Sequence, residues 1–257
     1  MRRFMEVKNG DTIAVWFSCG VASAVAAKKT IEKYGDMCNI RILNNPIKEE
    51  HEDNMRFLKD VEKWLGYPIE FVVNKKYPNS SCVEVWEHEN FMSSPQGANC
   101  TRVLKKNARH QWEQENKWDW IVLGFTAEEQ KRYDNFILSE RKNLLPVLIE
   151  DGITKQGCFY IINEAKIPAP AIYGMGFPNA NCIGCVKATS PTYWNLVREV
   201  FPEIFDARAN QSKKIGAKLV RHKGERIFLE DLPSDAKGYA LKNYHVECGI
   251  FCEVEWI

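Results

Sequence analysis

An apolar run, Thr12–Phe17 (TIAVWF), leads directly into Ser18-Cys19-Gly20-Val21-Ala22-Ser23. An alanine-rich segment that reads as a helix over Val21–Tyr34 follows, ended by Gly35. Few architectures accept a buried strand, a turn of small residues and a helix start in immediate succession. The βα unit of a parallel sheet is the main one. Such a turn exposes backbone N–H groups at the positive end of a helix dipole, which favours a phosphate. The same small residues also suit a plain βα turn, so the loop alone leaves both readings open.

The pattern then alternates. Short strands are predicted at Asn39–Leu43, Ile69–Val73, Trp120–Leu123 and Leu144–Leu148. Between them, His51–Leu65 carries Met55, Leu58, Val61 and Leu65 at helical spacing, and Gly66 ends it. Cys82–Phe91, Thr101–Gln114 and Lys155–Ala165 also read as helices. The expected class is α/β, with a doubly wound, mostly parallel sheet covered on both faces. In such sheets ligands bind at the carboxyl ends of strands. Those ends carry Ser18–Ser23, Asn44–Glu50 and Gly124–Arg132.

Beyond residue 166 the character changes. Pro168, Pro170, Gly174, Gly176 and Pro178 mark an irregular stretch. Helices follow at Pro191–Val200 and Phe205–Lys214, then a hairpin pairs Lys218–Val220 with Arg226–Leu229. The expected organisation is a nucleotide-binding core over residues 1–166 and a C-terminal part over 167–257 packed on the same core.

With 35 basic and 34 acidic residues, no overall basic field announces a polyanion ligand. No stretch is long and apolar enough for a membrane span. Met1-Arg2-Arg3-Phe4 lacks the apolar core of a signal peptide, and Glu6 and Lys8 follow closely. The expectation is a cytoplasmic protein. Its nine cysteines then point to metal or catalytic use rather than a disulfide framework.

Cys182-Ile183-Gly184-Cys185 presents two sulfurs on one turn, as a metal site requires. With Cys100 it makes a three-thiolate set. That set suits a [4Fe–4S] cluster with one open iron, or zinc completed by Cys158, Cys248, Cys252 or a histidine. A redox pair is the other use of a lone CxxC. Cys19, Cys38 and Cys82 read as ordinary buried residues. Arg102, Lys105, Lys106 and Arg109 recur at helical spacing after Cys100, and Lys131 and Arg132 follow the Gly124 strand end. Each group reads either as a solvated face or as a contact to an anion.

Four segments together resemble the phosphoadenosine-phosphosulfate-reductase-like family, a branch of the PP-loop adenine-nucleotide enzymes. Ser18-Cys19-Gly20-Val21-Ala22-Ser23 resembles its S-x-G-x-x-[S/A/D] loop, and Cys100-Thr101-Arg102-Val103-Leu104-Lys105 its C-T-x-x-L-K segment. Gly124–Arg132 resembles its G-x-R-x-x-E-S segment. Pro146 through Cys185 resembles its region ending in G-C-x-x-C. The four span roughly residues 12–190. Glu247-Cys248-Gly249-Ile250-Phe251 is similar to the E-C-G-[IL]-H tail of sulfonucleotide reductases, whose cysteine attacks the sulfonucleotide sulfur.

The resemblance implies an adenine nucleotide (ATP, adenylyl sulfate or its 3′-phosphate), with Mg2+ on its phosphates. Ser18, Cys19, Gly20, Ser23, Asn44 and Gly124 would bind it. It implies Cys100, Cys182 and Cys185 as metal ligands and Cys248, Lys105 and Arg132 as catalytic groups. Departures from the family divide its activities. Ala22 replaces an Asp of the ATP-pyrophosphatase loop, Asn99 stands where cluster-bearing reductases have a second cysteine, Thr126 replaces a substrate-gripping Arg, and Phe251 replaces the tail His.

The three-cysteine pattern is similar to the sulfur-transfer branch, which thiolates tRNA or installs phosphorothioates in DNA. There the open iron is thought to hold the sulfur. Three functions follow as expectations. The first is ATP-dependent sulfur transfer to a nucleic acid, with a cysteine desulfurase as sulfur source. The second is reduction of adenylyl sulfate or its 3′-phosphate through Cys248, with a thioredoxin-type reductant. The third is a silent nucleotide- or cluster-binding subunit of a modification complex.

Overall fold

The computed structural model describes residues 6–94 and 97–241. In chain order the elements are β1 (Thr12–Trp16), α1 (Val21–Tyr34), β2 (Asn39–Asn44), α2 (Asp53–Leu65), β3 (Ile69–Phe71), α3 (Cys82–Glu89), β4 (Ser93–Ser94) and β5 (Gly97–Ala98). A π-helical segment, Thr101–Asn107, runs into α4 (Ala108–Glu115). Then come β6 (Trp120–Val122), α5 (Gln130–Ser139), β7 (Leu144–Leu145), α6 (Val147–Glu150), α7 (Lys155–Glu164) and α8 (Ala171–Gly174). The last are α9 (Pro191–Val200), α10 (Pro202–Ile215), β8 (Val220–His222) and β9 (Glu225–Ile227).

The chain forms two compact units. One comprises residues 1–46, 52–72 and 109–171; the other comprises 47–51, 73–108 and 172–257. Residues 47–51 and 73–108 thus group with the C-terminal part, although they precede much of the first unit in sequence.

The first unit is α/β. Its five strands run in the order β3-β2-β1-β6-β7, all parallel, an arrangement compatible with a doubly wound fold. Register is set by apolar partners: Ile13 faces Ile40, Val15 faces Val122, and Ile121 faces Leu144. All five residues of β1 are buried, as a central parallel strand covered on both faces demands. The chain steps outward from β1 to β2 and β3, then returns to β1's other side with β6 and β7. The order therefore reverses between β1 and β6, the position where such sheets open a crevice for ligands.

Several boundaries differ from the sequence pattern. The strand expected over Leu144–Leu148 stops at Leu145, because Pro146 leads into α6. Met55, placed on the apolar stripe of α2, is exposed, and Phe57 is buried instead. The helix expected over Thr101–Gln114 is π-helical in its first half. Among the described residues no helix is long and apolar enough to cross a membrane.

The second unit gathers α3, the β4–β5 ribbon, the π-helical segment, α9, α10 and the β8–β9 hairpin around its own core. Trp86, Trp194, Tyr193, Phe177 and Phe205 fill that core, together with Cys82, Cys100, Cys182 and Cys185.

Candidate functional site

In the first unit, three strand ends meet at the switch between β1 and β6. Cys19 adopts a left-handed conformation (φ 57°), which turns the chain sharply after β1. Ser18 N–H donates to Ser23 Oγ at 3.1 Å, the two hydroxyls lie 3.2 Å apart, and Ser23 Oγ donates to the Gly20 carbonyl at 2.9 Å. These bonds close the loop on itself. Gly20 caps α1 with extended backbone and no side-chain bond, and the first turn of α1 carries no acid. The positive end of that helix is therefore not neutralised from within its own first turn.

Asn44, at the end of β2, is buried. Its Nδ2 donates to the Phe17 carbonyl at 2.8 Å and lies 3.5 Å from Cys19 Sγ. It holds the left-handed turn in place from the neighbouring strand. Gly124, just past β6, packs against the loop so closely that a Cβ there would stand 2.7 Å from Ser23 N and 2.9 Å from Ser23 Cα. No side chain fits between them. The six residues expected to bind a nucleotide thus lie within the first unit, where Asn44 and Gly124 frame the Ser18–Ser23 loop.

Arg132 is held locally. Its Nη1 lies 2.6 Å from Glu129 Oε1, and its guanidinium stacks 4.6 Å over Phe125. The other oxygen of Glu129 accepts from Thr126 N–H at 3.0 Å and Thr126 Oγ1 at 3.2 Å, a capping box. Thr126, the position where the family carries an Arg, is buried and serves the chain turn.

The second unit holds the cysteines. Cys182 and Cys185 flank Gly184, whose φ of 68° allows the tight turn, and Tyr193 Oη ties the turn together. It accepts from Cys185 N–H at 3.0 Å and donates to the Cys182 carbonyl at 3.4 Å. Burial pushes the Tyr193 hydroxyl far above its ordinary pKa. Cys100 lies immediately before the π-helical segment, a geometry that recurs at functional sites. Lys105 is buried, with Nζ 3.5 Å from Glu50 Oε1. Arg109 belongs to the first unit, where it is buried 3.9 Å from Glu113. The basic row after Cys100 is therefore not a continuous solvated face.

Cys82 is buried, as the sequence pattern leads one to expect, and it shares a core with Cys100, Cys182 and Cys185. The neighbouring Cys100 and Cys182 thiols hold its own well above the ordinary value. Donation from Cys82 lowers the Cys100 thiol from its ordinary value, against burial, and Lys105 adds to the effect. Cys82 has no close cysteine neighbour in sequence, so no spacing marks it. Its only local signal is the Ser81 N-cap, which accepts from Glu84 N–H and starts α3 at Cys82.

Cys158 lies in the first unit on α7, and Cys248 and Cys252 lie outside the described residues. As their side chains are placed, no three His, Cys, Asp or Glu among the described residues form a ready metal-ion shell, and Cys82, Cys100, Cys182 and Cys185 are free thiols. The donor chemistry nonetheless fits a soft metal centre, since buried thiols from separate segments share one core with a buried arginine, Arg208.

No protein-family model matches the chain, and no curated protein matches it.

Proposed function

We propose that this chain is a PP-loop-type enzyme of sulfur chemistry that uses ATP to activate an oxygen of a nucleic acid for replacement by sulfur. The observation that carries the reading is the loop at the switch in strand order between β1 and β6. There the self-bonded Ser18–Ser23 loop, the uncapped start of α1 and the close approach of Gly124 favour a phosphate held by backbone N–H groups. The sulfur chemistry rests on the family resemblance and on the cysteine-rich core of the second unit.

The acceptor oxygen attacks the α-phosphorus of ATP, and pyrophosphate leaves. Backbone N–H groups of Cys19–Ser23 would hold the departing phosphates beside the Ser18 and Ser23 hydroxyls, and Mg2+ when bound would screen their charge. The adenylated oxygen is then a good leaving group, and a sulfur nucleophile displaces AMP. A cysteine desulfurase is the partner class that supplies the sulfur as a persulfide; its outer sulfur displaces AMP, and a thiol reductant then cleaves the resulting S–S bond to release the thiolated product. Cys100, Cys182 and Cys185 would hold a [4Fe–4S] cluster or zinc, which when bound supplies a soft, thiophilic centre. Lys105 lies in the same unit and favours the thiolate form of Cys100.

The test is an anaerobic assay of the full chain with ATP, nucleic acid and a sulfur donor, beside a second assay with adenylyl sulfate and a dithiol. The reading expects acceptor-dependent pyrophosphate release and thiolated product. Sulfite formation from adenylyl sulfate without pyrophosphate release would replace it with the reductase function. ATP binding without either turnover would replace it with a binding subunit.

A further inference from the structure

Glu49 joins two places that are far apart in sequence. Its carboxylate accepts from Cys82 N–H at 2.7 Å, Ser81 Oγ at 2.7 Å and Val83 N–H at 3.3 Å. Its backbone carbonyl accepts from Ile183 N–H at 3.0 Å, inside the CxxC turn. One residue thereby fixes the start of α3 against the cysteine turn. Cys82, in the first turn of α3, is buried in one core with Cys100, Cys182 and Cys185.

Arg208, on α10, closes the same cluster. It is 4% exposed, and its guanidinium stacks 4.2 Å over Trp86 of α3. Its Nη1 donates to Gln211 Oε1 at 2.6 Å, and Gln211 Nε2 in turn reaches the Val83 carbonyl at 3.4 Å. Its Nε is buried with no hydrogen-bond partner among the described residues. That nitrogen lies 3.6 Å from the point where a Cβ on Gly184 would stand. A buried cation with an unspent N–H beside a cysteine turn implies an anion there, because leaving such a donor unmade costs on the order of 1–3 kcal/mol or more.

We propose that Cys82 is a fourth thiolate ligand, completing a four-sulfur shell with Cys100, Cys182 and Cys185, and that Arg208 faces this shell as its counter-charge. This rests on the reading that the second unit holds a soft metal centre, and it goes beyond that reading by naming the residue that closes the shell. Four thiolates leave the same net double negative charge around zinc as around an oxidised [4Fe–4S] core. A charge of that kind inside an apolar core requires compensation. Arg208 provides it, with Lys105 on the Cys100 side. A shell closed by Cys82 leaves no metal position open to hold transferable sulfur.

The test purifies the full-length chain anaerobically as wild type, Cys82→Ala, Cys82→Ser and Cys38→Ala. Iron, acid-labile sulfide and zinc are measured before and after dialysis against a chelator. Wild type and Cys38→Ala should retain equal metal. Cys82→Ala should retain about tenfold less or lower, with Cys82→Ser between. Circular dichroism checks that the variants fold. Alkylation mapping of wild type, which needs no variant, should show Cys82 gaining reactivity with Cys100, Cys182 and Cys185 when the chelator is added. Iron with sulfide, or zinc alone, identifies the centre, and either supports the shell. Full metal retention in folded Cys82→Ala, or alkylation of Cys82 that ignores the chelator, overturns the role of Cys82 and leaves the three-cysteine reading standing. Wild type that holds neither iron nor zinc overturns the metal centre and this proposal with it.

Discussion

A β-carbon on Gly124 would stand 2.7 Å from the backbone nitrogen of Ser23, nearer than a β-carbon comes to a backbone atom. The end of β6 and the start of α1 therefore meet backbone to backbone. That contact fixes where the Ser18–Ser23 loop sits against the end of β6.

Gly124→Ala should push these two elements apart. The expected cost is about 1–3 kcal/mol of stability, as for an overpacked site, and at least about tenfold in ATP affinity, since 1.4 kcal/mol is tenfold in binding. Urea denaturation and calorimetric titration check both. Unchanged values for both would show that the contact yields without moving the loop.

Glu129 divides its carboxylate between Thr126 and Arg132, and two substitutions separate the halves. Glu129→Gln keeps an oxygen to accept from Thr126 but loses the ion pair. As a partly exposed pair, that should cost under about 1 kcal/mol. Glu129→Ala also loses the capping box and should cost about 1 kcal/mol more. Equal destabilisation by the two variants, read from urea midpoints, would remove the cap from the account.

Burial pushes the Cys158 thiol up to about 12, so the folded chain keeps its proton where the unfolded chain gives it up. The stabilising protonation is complete below the ordinary thiol pKa near 8.5–9 and is lost as pH rises toward about 12. Stability should fall by about 1 kcal/mol per pH unit across that window from this group. Cys158→Ala removes this contribution, so its urea midpoint should decline less steeply than wild type above pH 9 or so. Parallel declines would contradict the assignment.

Arg208→Met should remove the cation beside the cysteine turn while keeping much of the packing on Trp86. For an iron–sulfur centre, loss of a nearby positive charge disfavours the more negative, reduced form. Electrochemical titration should therefore give a lower midpoint potential than wild type. An unchanged potential with a retained centre would place Arg208 in a purely structural role.

Much of the first unit was legible because its signals are local. Thr12–Trp16 is apolar throughout, Gly66 ends α2 in a left-handed conformation (φ 69°), and α1 and α9 have the predicted limits. The loops at strand ends follow from strand order alone. What escaped depends on contacts between distant segments. Lys105 is buried because Glu50 lies beside it, and Arg109 because Glu113 and its neighbours enclose it in the other unit. Spacing shows four basic residues in a row; it carries no information on the carboxylates that take them inside. Cys82 is buried as expected, but only the fold places it in one core with Cys100 and Cys182.

The second unit is assembled from residues 47–51, 73–108 and 172–257, whereas the first is complete at residue 171. On a ribosome, the sheet with its loop can close while Cys82 and Cys100 still await Cys182 and Cys185. For that interval two future partners of one core travel on the growing chain without the turn that buries them. Insertion of a metal into the proposed shell, and burial of these thiols away from oxidants, would therefore wait until residue 185 has been made. A chain truncated shortly before the CxxC turn would keep the sheet and lose the sulfur core entirely.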